Sequence, residues 1–285
     1  DKGTLRNPVN LCMDAAVFLR ELAGYWEYLS GCEWNAWVQR CRSWRERYPV
    51  VLPEYREQTG SVNSYVLIDT LSELCDENDT IVTDMGFSFQ NTHQAWKVKK
   101  GQRLLTNCGL APMGWGLPAS VGAAFATGGR VICITGEGGL QMNIQELATV
   151  MHHRLPVKIF VLNNGGYLTI KQTQEQGFEG RLMGSTGKDL SFPSMMGIGE
   201  SFDMRHLCIP SHDTLYRVKD TLGGEDPVLC EILMSHDQLT APRALNRRNA
   251  DGTMNPTKLE DSFPFLPPEV IAAEMGMTFP ENEGT

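Results

Sequence analysis

The sequence has no apolar run of about 18 residues, the length that predicts a membrane-spanning helix. It also lacks the excess of basic residues that nucleic acids and anionic membranes require, because 25 Lys and Arg stand against 34 Asp and Glu, for a formal net charge of -9. The first residues, DKGTLRNPVN, do not resemble a secretory signal peptide. We therefore expect a cytoplasmic protein with no nucleic-acid or membrane partner.

The eight cysteines lack the CxxC and Cys/His spacings that bind zinc or form redox motifs. They are scattered over positions 12, 32, 41, 75, 108, 133, 208 and 230. Reduced thiols are therefore expected, with Cys133 and Cys230 as apolar side chains within strands. No internal repeat or low-complexity tract is visible in the sequence.

From Ser61 onward, apolar runs alternate with amphipathic segments in the order typical of α/β proteins. The runs VICIT (131–135) and KIFVL (158–162) are almost continuously apolar, as expected of parallel strands whose two faces are covered by helices. The chain is long enough, at 285 residues, for one large domain with flanking pieces. Residues 61–234 are thus predicted to form a doubly wound, largely parallel sheet with helices on both faces.

The flanking segments do not follow this alternation. Residues 1–24 contain a predicted strand and helix with no earlier partner in the sequence. Residues 25–60 combine a predicted amphipathic helix, in which Trp37 and Trp44 lie seven residues apart, with a linker; an aromatic cage for a ligand is the alternative to packing. Residues 235–285 are rich in Pro, Asn and charge and are interpreted as a polar tail that either forms a lid or is solvated.

The stretch from Val131 to Asn164 predicts a buried strand, a Gly-acid-Gly turn, a helix, a second strand and an Asn-Asn pair. Glu137 and Asn164 would lie at the carboxyl ends of the two strands, where open α/β sheets bind ligands. Carboxylate and amide oxygens are ligands that Mg2+ prefers, and Mg2+ usually shares its shell with phosphates. Gly138 and Gly139 would let backbone N–H groups approach an anion closely.

Three segments in this order resemble the cofactor motifs of thiamine-diphosphate enzymes. GEG followed after 24 residues by NN resembles the family's GDG and NN. CGLAPMGWGLPASVGAAFA (108–126) resembles GGLGTMGFGLPAAIGA, and DMGFSF (84–89) resembles the diphosphate-contacting DVGQHQ. The chain is identified as a member of this family, similar to acetolactate synthases, and corresponds to the C-terminal, diphosphate-binding portion of a member. The resemblance implies that residues 1–24 are a remnant of the end of the family's central domain.

The resemblance also implies roles for particular residues. Mg2+ would be bound by Glu137, the side chain of Asn164 and the carbonyl of Gly166. The backbone carbonyl of Ala111 would accept a hydrogen bond from the cofactor's 4'-amino group, and Met113 would support the two rings. The remaining contacts to the cofactor would come from Gly86, Phe87, Ser88, Gly138, Gly139 and Tyr167, and the substrate-facing wall from Leu168, Ile170, Gln172 and Thr173.

Two departures from the family pattern stand out. Glu137 replaces the usual Asp, which lengthens the side chain by one methylene. Phe87 and Ser88 replace a polar Gln-His pair, and the Ser88 hydroxyl is the candidate replacement for one lost donor.

The resemblance implies thiamine diphosphate and Mg2+ as cofactors, with decarboxylation of a 2-oxo acid and ligation of the carbanion to an acceptor. The alternatives are a simple 2-oxo-acid decarboxylase, an acyl-CoA lyase of the same superfamily and a non-catalytic assembly subunit. The glutamate that activates the pyrimidine ring would come from an N-terminal pyrimidine-binding domain, in a neighbouring chain or a missing segment. We therefore expect a homodimer or homotetramer.

Overall fold

The computed structural model describes residues 9–31, 33–245, 247–248, 253–255 and 260–276. These fall into two compact units, Asp1–Pro49 and Val50–Thr285. The first eight residues of the predicted N-terminal segment, the thiol of Cys32 and parts of the predicted tail, including 277–285, lie outside the described residues.

The first unit consists of helices α1 (Ala15–Gly24), α2 (Trp26–Ser30) and α3 (Asn35–Arg47). The strand predicted before α1 is wrong, since residues 9–14 have no strand structure. Asp14 explains the early helix start, because its side chain accepts hydrogen bonds from the backbone N–H groups of Ala16 and Val17 at 2.9 and 3.2 Å. Trp37 and Trp44 lie on one face of α3 and pack edge to face, with ring centroids 5.6 Å apart.

The second unit is built on a six-stranded, all-parallel sheet, which confirms the predicted fold class. The spatial order of the strands is β2-β1-β3-β4-β6-β5. The strands are β1 (Thr80–Thr83), β2 (Arg103–Leu105), β3 (Val131–Gly136), β4 (Val157–Asn163), β5 (Arg205–Ile209) and β6 (Val228–Leu233). A separate antiparallel pair joins β7 (Arg247–Arg248) and β8 (Met254–Asn255).

Helices connect and cover the strands. They are α4 (Pro53–Arg56), α5 (Ser64–Leu74), α6 (Phe87–Ala95), α7 (Gly116–Thr127), α8 (Glu137–Met142), α9 (Glu146–His152), α10 (Leu168–Gly177), α11 (Met195–Ser201), a 3-10 helix (His212–Arg217), α12 (Val218–Leu222) and α13 (Pro268–Met275). No helix in the described ranges has the length and apolar character needed to cross a membrane.

Both faces of the sheet are apolar because alternate residues of each strand point to opposite sides. On β3, Ile132 and Ile134 pack into one hydrophobic cluster with helices α5 and α6, whereas Val131 and Cys133 pack into another with α7, α9 and α11. The predicted apolar roles of Cys133 and Cys230 agree with their complete burial. The two clusters hold the carboxyl ends of the strands in a fixed arrangement.

A helix that was not predicted begins at these strand ends. The sequence pattern predicts one helix over 143–153, which the structure confirms as α9, but a separate helix, α8, begins at Glu137, directly after β3, and ends at Met142. Asn143 breaks the helix because its backbone leaves the helical region and its side-chain Nδ2 donates to the carbonyl of Gly114 at 2.7 Å. The first residue of α8 therefore directly follows a strand of the sheet.

Both segments that flank the predicted 61–234 domain contact it. Tyr55, in the predicted linker, stacks on Tyr65 with ring centroids 5.6 Å apart. At the start of the predicted tail, the backbone N–H of Ala241 donates to the Tyr65 hydroxyl at 2.9 Å. Arg243 donates to the side-chain oxygen of Gln172 at 2.9 Å. Residues 238–243 thus lie against α5 and α10.

Candidate functional site

A cleft of about 360 Å³ opens at the carboxyl ends of β1, β3 and β4. Helices α6, α8 and α10 follow these three strands, so the first turn of each helix meets the cleft. All the residues predicted to bind cofactor or metal line it: Gly86, Phe87, Ser88, Ala111, Met113, Glu137, Gly138, Gly139, Asn164, Gly166 and Tyr167. The fold therefore brings together residues that are far apart in sequence, such as Gly86 and Gly166.

Glu137 is completely buried at the start of α8. Its Oε1 accepts hydrogen bonds from the backbone N–H groups of Gly166 at 2.8 Å and Asn164 at 3.2 Å. Burial raises the pKa of this carboxyl to about 7. Its other oxygen, Oε2, is buried and has no hydrogen-bond partner among the described residues.

Asn164 carries a second unsatisfied oxygen in the same cleft. Its side-chain Oδ1 is buried and also lacks a hydrogen-bond partner within the described part of the chain. Buried polar atoms are nearly always satisfied, so each exception requires an explanation. One carboxylate oxygen and one amide oxygen form a donor set that a hard divalent cation accepts.

The turn that carries Asn164 has little freedom. Gly165 adopts a left-handed φ of +73°, and a Cβ there would lie 2.4 Å from Cε1 of His236. The Nδ1 atom of His236 hydrogen-bonds to the carbonyl of Asn164. A Cβ at Gly166 would lie 2.3 Å from the carbonyl oxygen of Ser185. Glycine is required at both positions, because any side chain would displace its neighbours.

The glycines of the GEGG turn allow other groups to approach α8 closely. A Cβ at Gly138 would lie 2.2 Å from Cε1 of Tyr167, and one at Gly139 would lie 2.6 Å from Oδ2 of Asp84. Gly86, which also lines the cleft, directly precedes α6 and has a left-handed φ of +72°. Backbone N–H groups at the start of α6 are therefore available to an anion in the cleft.

The Ser88 hydroxyl, the predicted replacement for a lost donor, is hydrogen-bonded within its own turn. It is buried and donates to the carbonyl of Met85 at 2.9 Å. The hydroxyl hydrogen is thus used locally, and only the backbone of this turn remains as a donor to the cleft.

Asp84 was missing from the predicted site, although it opens the DMGFSF motif. Its carboxylate accepts hydrogen bonds from the N–H of Met85 at 2.8 Å, the N–H of Gly114 at 3.0 Å and the hydroxyl of Thr135 at 3.0 Å. Burial raises the pKa of this carboxyl. Because the three donors belong to three different segments of the cleft, Asp84 joins the turns after β1, before α7 and at the end of β3.

The Ala111–Gly114 turn has a constrained backbone. Ala111 has a left-handed φ of +50°, which is unfavourable for a residue with a Cβ, and Gly114 has a φ of +83°. Two outside groups hold the turn, because Asp84 accepts from the N–H of Gly114 and Asn143 donates to its carbonyl. Met113 directly precedes the anchored Gly114 and lines the cleft.

Of the four residues predicted to face the substrate, two line the cleft and two do not. Leu168 and Ile170 line the cleft, and Thr169 lines it as well. Gln172 is directed elsewhere, since its amide donates to the carbonyl of Gln238 at 2.9 Å. Thr173 also lies outside the cleft lining, and its hydroxyl donates to the carbonyl of Thr169 at 3.0 Å. The reason is geometric, because α10 starts at the cleft and one helical turn moves the chain about 5.4 Å away.

Comparison with known proteins identifies the domain. Residues 84–232 match the family model described as "Thiamine pyrophosphate enzyme, C-terminal TPP binding domain". The chain is 35% identical over 245 residues to acetolactate synthase isozyme 1 large subunit of Escherichia coli (strain K12), an alignment covering 84% of this chain and 42% of that protein. It is 28% identical over 213 residues to acetolactate synthase large subunit of Porphyra purpurea, covering 73% of this chain and 34% of that protein.

A plant acetolactate synthase is also similar to this chain. Acetolactate synthase 1, chloroplastic, of Nicotiana tabacum is 28% identical over 244 residues, which cover 82% of this chain and 36% of that protein. The chain thus spans between a third and somewhat over two fifths of the length of these relatives. The matched residues include the cleft and the whole parallel sheet except β1 and the last residue of β6. The chain belongs to the thiamine-diphosphate-dependent enzyme family, in which it corresponds to the C-terminal cofactor-binding portion of acetolactate synthase-like members.

Proposed function

We propose that the cleft binds thiamine diphosphate through Mg2+, for decarboxylation of a 2-oxo acid and ligation of the resulting carbanion to an acceptor. The observation that carries the metal proposal is the pair of buried, unpartnered oxygens, Glu137 Oε2 and Asn164 Oδ1. The relatives named acetolactate synthase support the choice of reaction.

The residues at the strand ends fit Mg2+ by their chemistry. Glu137 offers a charged oxygen and Asn164 a neutral one, and the carbonyl of Gly166 is the proposed third ligand. Mg2+ takes oxygen ligands and keeps positions for phosphate and water. The longer Glu in place of Asp is accommodated because its Oε1 is bonded to the turn of Asn164 and Gly166, which leaves Oε2 for the metal.

The two glycine-containing turns are the proposed diphosphate contacts. Gly86, Phe87 and Ser88 would contribute backbone N–H groups at the start of α6. Gly138 and Gly139, which line the cleft at the first turn of α8, would contact the diphosphate through their backbone. The hydroxyl of Ser88 takes no part, since it is bonded to Met85.

The remaining cleft residues would orient and shield the reacting atoms. When bound, thiamine diphosphate supplies the carbanion chemistry that decarboxylation of a 2-oxo acid requires. Ala111 would accept a hydrogen bond from the 4'-amino group through its carbonyl, and Met113 would support the two rings. Leu168 and Ile170 would exclude water, which protonates carbanions.

A carboxylate for the pyrimidine ring must come from elsewhere under this proposal. Among the described residues lining the cleft, the carboxylates are Asp84 and Glu137. Asp84 is bonded to three donors of the chain, and Glu137 is assigned to the metal. We therefore propose that a pyrimidine-binding domain of a neighbouring subunit completes the site, in a homodimer or homotetramer.

The metal proposal predicts a cation requirement. Calorimetric titration of the 285-residue chain should detect thiamine diphosphate binding in Mg2+ and none in EDTA. Asn164→Ala should weaken the Mg2+-supported binding, whereas Asn164→Asp should retain it because an oxygen ligand remains. Equal affinity in Mg2+ and in EDTA would contradict the metal bridge.

If a pyrimidine-binding domain completes the active site, the chain alone should be inactive. The 285-residue chain supplied with cofactor and pyruvate should release no CO2, and assembly with its pyrimidine-binding domain should start the reaction. Acetolactate as the product would support ligation, whereas acetaldehyde would indicate simple decarboxylation. Steady CO2 release by the chain alone would refute the shared site.

A further inference from the structure

A carboxylate lies on a largely apolar face of the sheet beside the proposed metal-binding turn. Glu231, on β6, pairs in register with Val161 of β4 and Cys208 of β5. Val161 and Leu229 on this face belong to the hydrophobic cluster beneath α11. The Glu231 side chain is only 15% exposed, so its charge is costly unless it is hydrogen-bonded.

The principal partner of Glu231 is the first asparagine of the NN motif. Nδ2 of Asn163 donates to Oε1 of Glu231 at 2.7 Å. His206 lies farther away, with Nε2 at 3.7 Å from Oε2 of Glu231, and burial lowers the pKa of His206 so that the imidazole is neutral at neutral pH. The Glu231 carboxylate therefore sets the orientation of the Asn163 amide.

The direction of the Asn163 amide determines the shape of the next turn. With Nδ2 bonded to Glu231, Oδ1 is left to accept the N–H of Gly165 at 3.1 Å. The opposite amide orientation would place two N–H donors against each other. Gly165, in its left-handed conformation, separates Asn164 from Gly166, and both of these donate to Oε1 of Glu137.

We infer that Glu231 is a positioning residue for the metal-binding end of the cleft, acting through the side chain of Asn163. This inference rests on the proposed function, since it concerns the same metal. Glu231 fixes the Asn163 amide, the amide fixes the N–H of Gly165, and this turn sets the positions of the Asn164 and Gly166 ligands. Residues that orient metal ligands in this way affect metal affinity without touching the metal.

The test is the Mg2+ dependence of thiamine diphosphate binding, measured by calorimetry on the full chain. Glu231→Ala should raise the half-saturating Mg2+ concentration roughly 10- to 100-fold, the range found for partners of metal ligands. Glu231→Gln should stay close to wild type, because its side-chain oxygen can still accept from Asn163. The exposed Glu225→Ala serves as the matched control and should have no effect.

A double-mutant cycle separates positioning from general damage to the fold. Asn163→Ala should raise the half-saturating Mg2+ concentration as much as Glu231→Ala does. The double variant should bind Mg2+ no more weakly than the weaker single variant, because both substitutions break the same hydrogen bond. Wild-type Mg2+ dependence in either single variant, or a Gln variant as weak as Ala, would overturn the inference. Absence of Mg2+ dependence in the wild type would instead refute the proposed function.

Discussion

Replacing Glu137 by Gln should abolish Mg2+-dependent binding of thiamine diphosphate while leaving the protein folded. The substitution keeps the shape of the side chain, and one oxygen can still accept from the N–H groups of Asn164 and Gly166. The atom at the Oε2 position becomes an NH2 group, which cannot bind a cation. Calorimetry with Mg2+ should show a loss of affinity of at least about 100-fold, comparable to the largest losses from disturbed metal ligands.

Stability provides the control for this substitution. Burial raises the pKa of Glu137 to about 7, so the ionised carboxylate is unfavourable in the metal-free fold. The Gln variant should therefore unfold in EDTA at pH 8 at the same temperature as wild type or higher. Glu137→Asp should retain measurable Mg2+-dependent binding because it keeps the charge, although it reaches Asn164 and Gly166 less well. Tight Mg2+-dependent binding by the Gln variant would exclude Glu137 as a ligand.

The sheet could be predicted because a short stretch of sequence specifies each central strand. Each central strand is a continuous apolar run, and the run itself indicates that both faces are covered. The positions of Glu137 and Asn164 follow from the same pattern, since each comes directly after such a run and parallel strands end at one edge. The structure brings both to one cleft, as the spacing of the GEG and NN motifs implies.

Side-chain bonds across the fold could not be predicted in this way. Asp84 and Gly114 are 30 residues apart, and Asn163 and Glu231 are 68 apart, and no periodic pattern links either pair. Gln172 failed as a substrate-facing residue for a related reason. Its spacing from Leu168 suggests a shared helix face, but the tail crossing α10 offers the carbonyl of Gln238 as a nearer partner.

Removal of the Asp84 carboxylate should destabilise the protein strongly. Asp84→Ala leaves the N–H groups of Met85 and Gly114 without their acceptor, and the hydroxyl of Thr135 keeps only the carbonyl of Gly136, at 3.2 Å. Each buried group left unsatisfied costs about 1–3 kcal/mol, so the free energy of unfolding should fall by about 2 kcal/mol or more. Urea unfolding measures this loss, and the exposed Asp220→Ala should change stability by less than about 0.5 kcal/mol.

The same substitution should also weaken cofactor binding, although Asp84 is not a proposed ligand. Its three donors immediately adjoin Gly86, Met113 and Gly136, so the carboxylate holds together the diphosphate turn, the ring-supporting turn and the strand leading to Glu137. Asp84→Asn should have a smaller effect, because its amide oxygen can still accept from the N–H groups of Met85 and Gly114 while its NH2 faces the hydroxyl of Thr135, which can accept. Titration at a temperature where the Ala variant is fully folded separates binding from unfolding. Binding of thiamine diphosphate by the folded Ala variant as tightly as by wild type would show that the Asp84 carboxylate is not needed to hold the three segments in place.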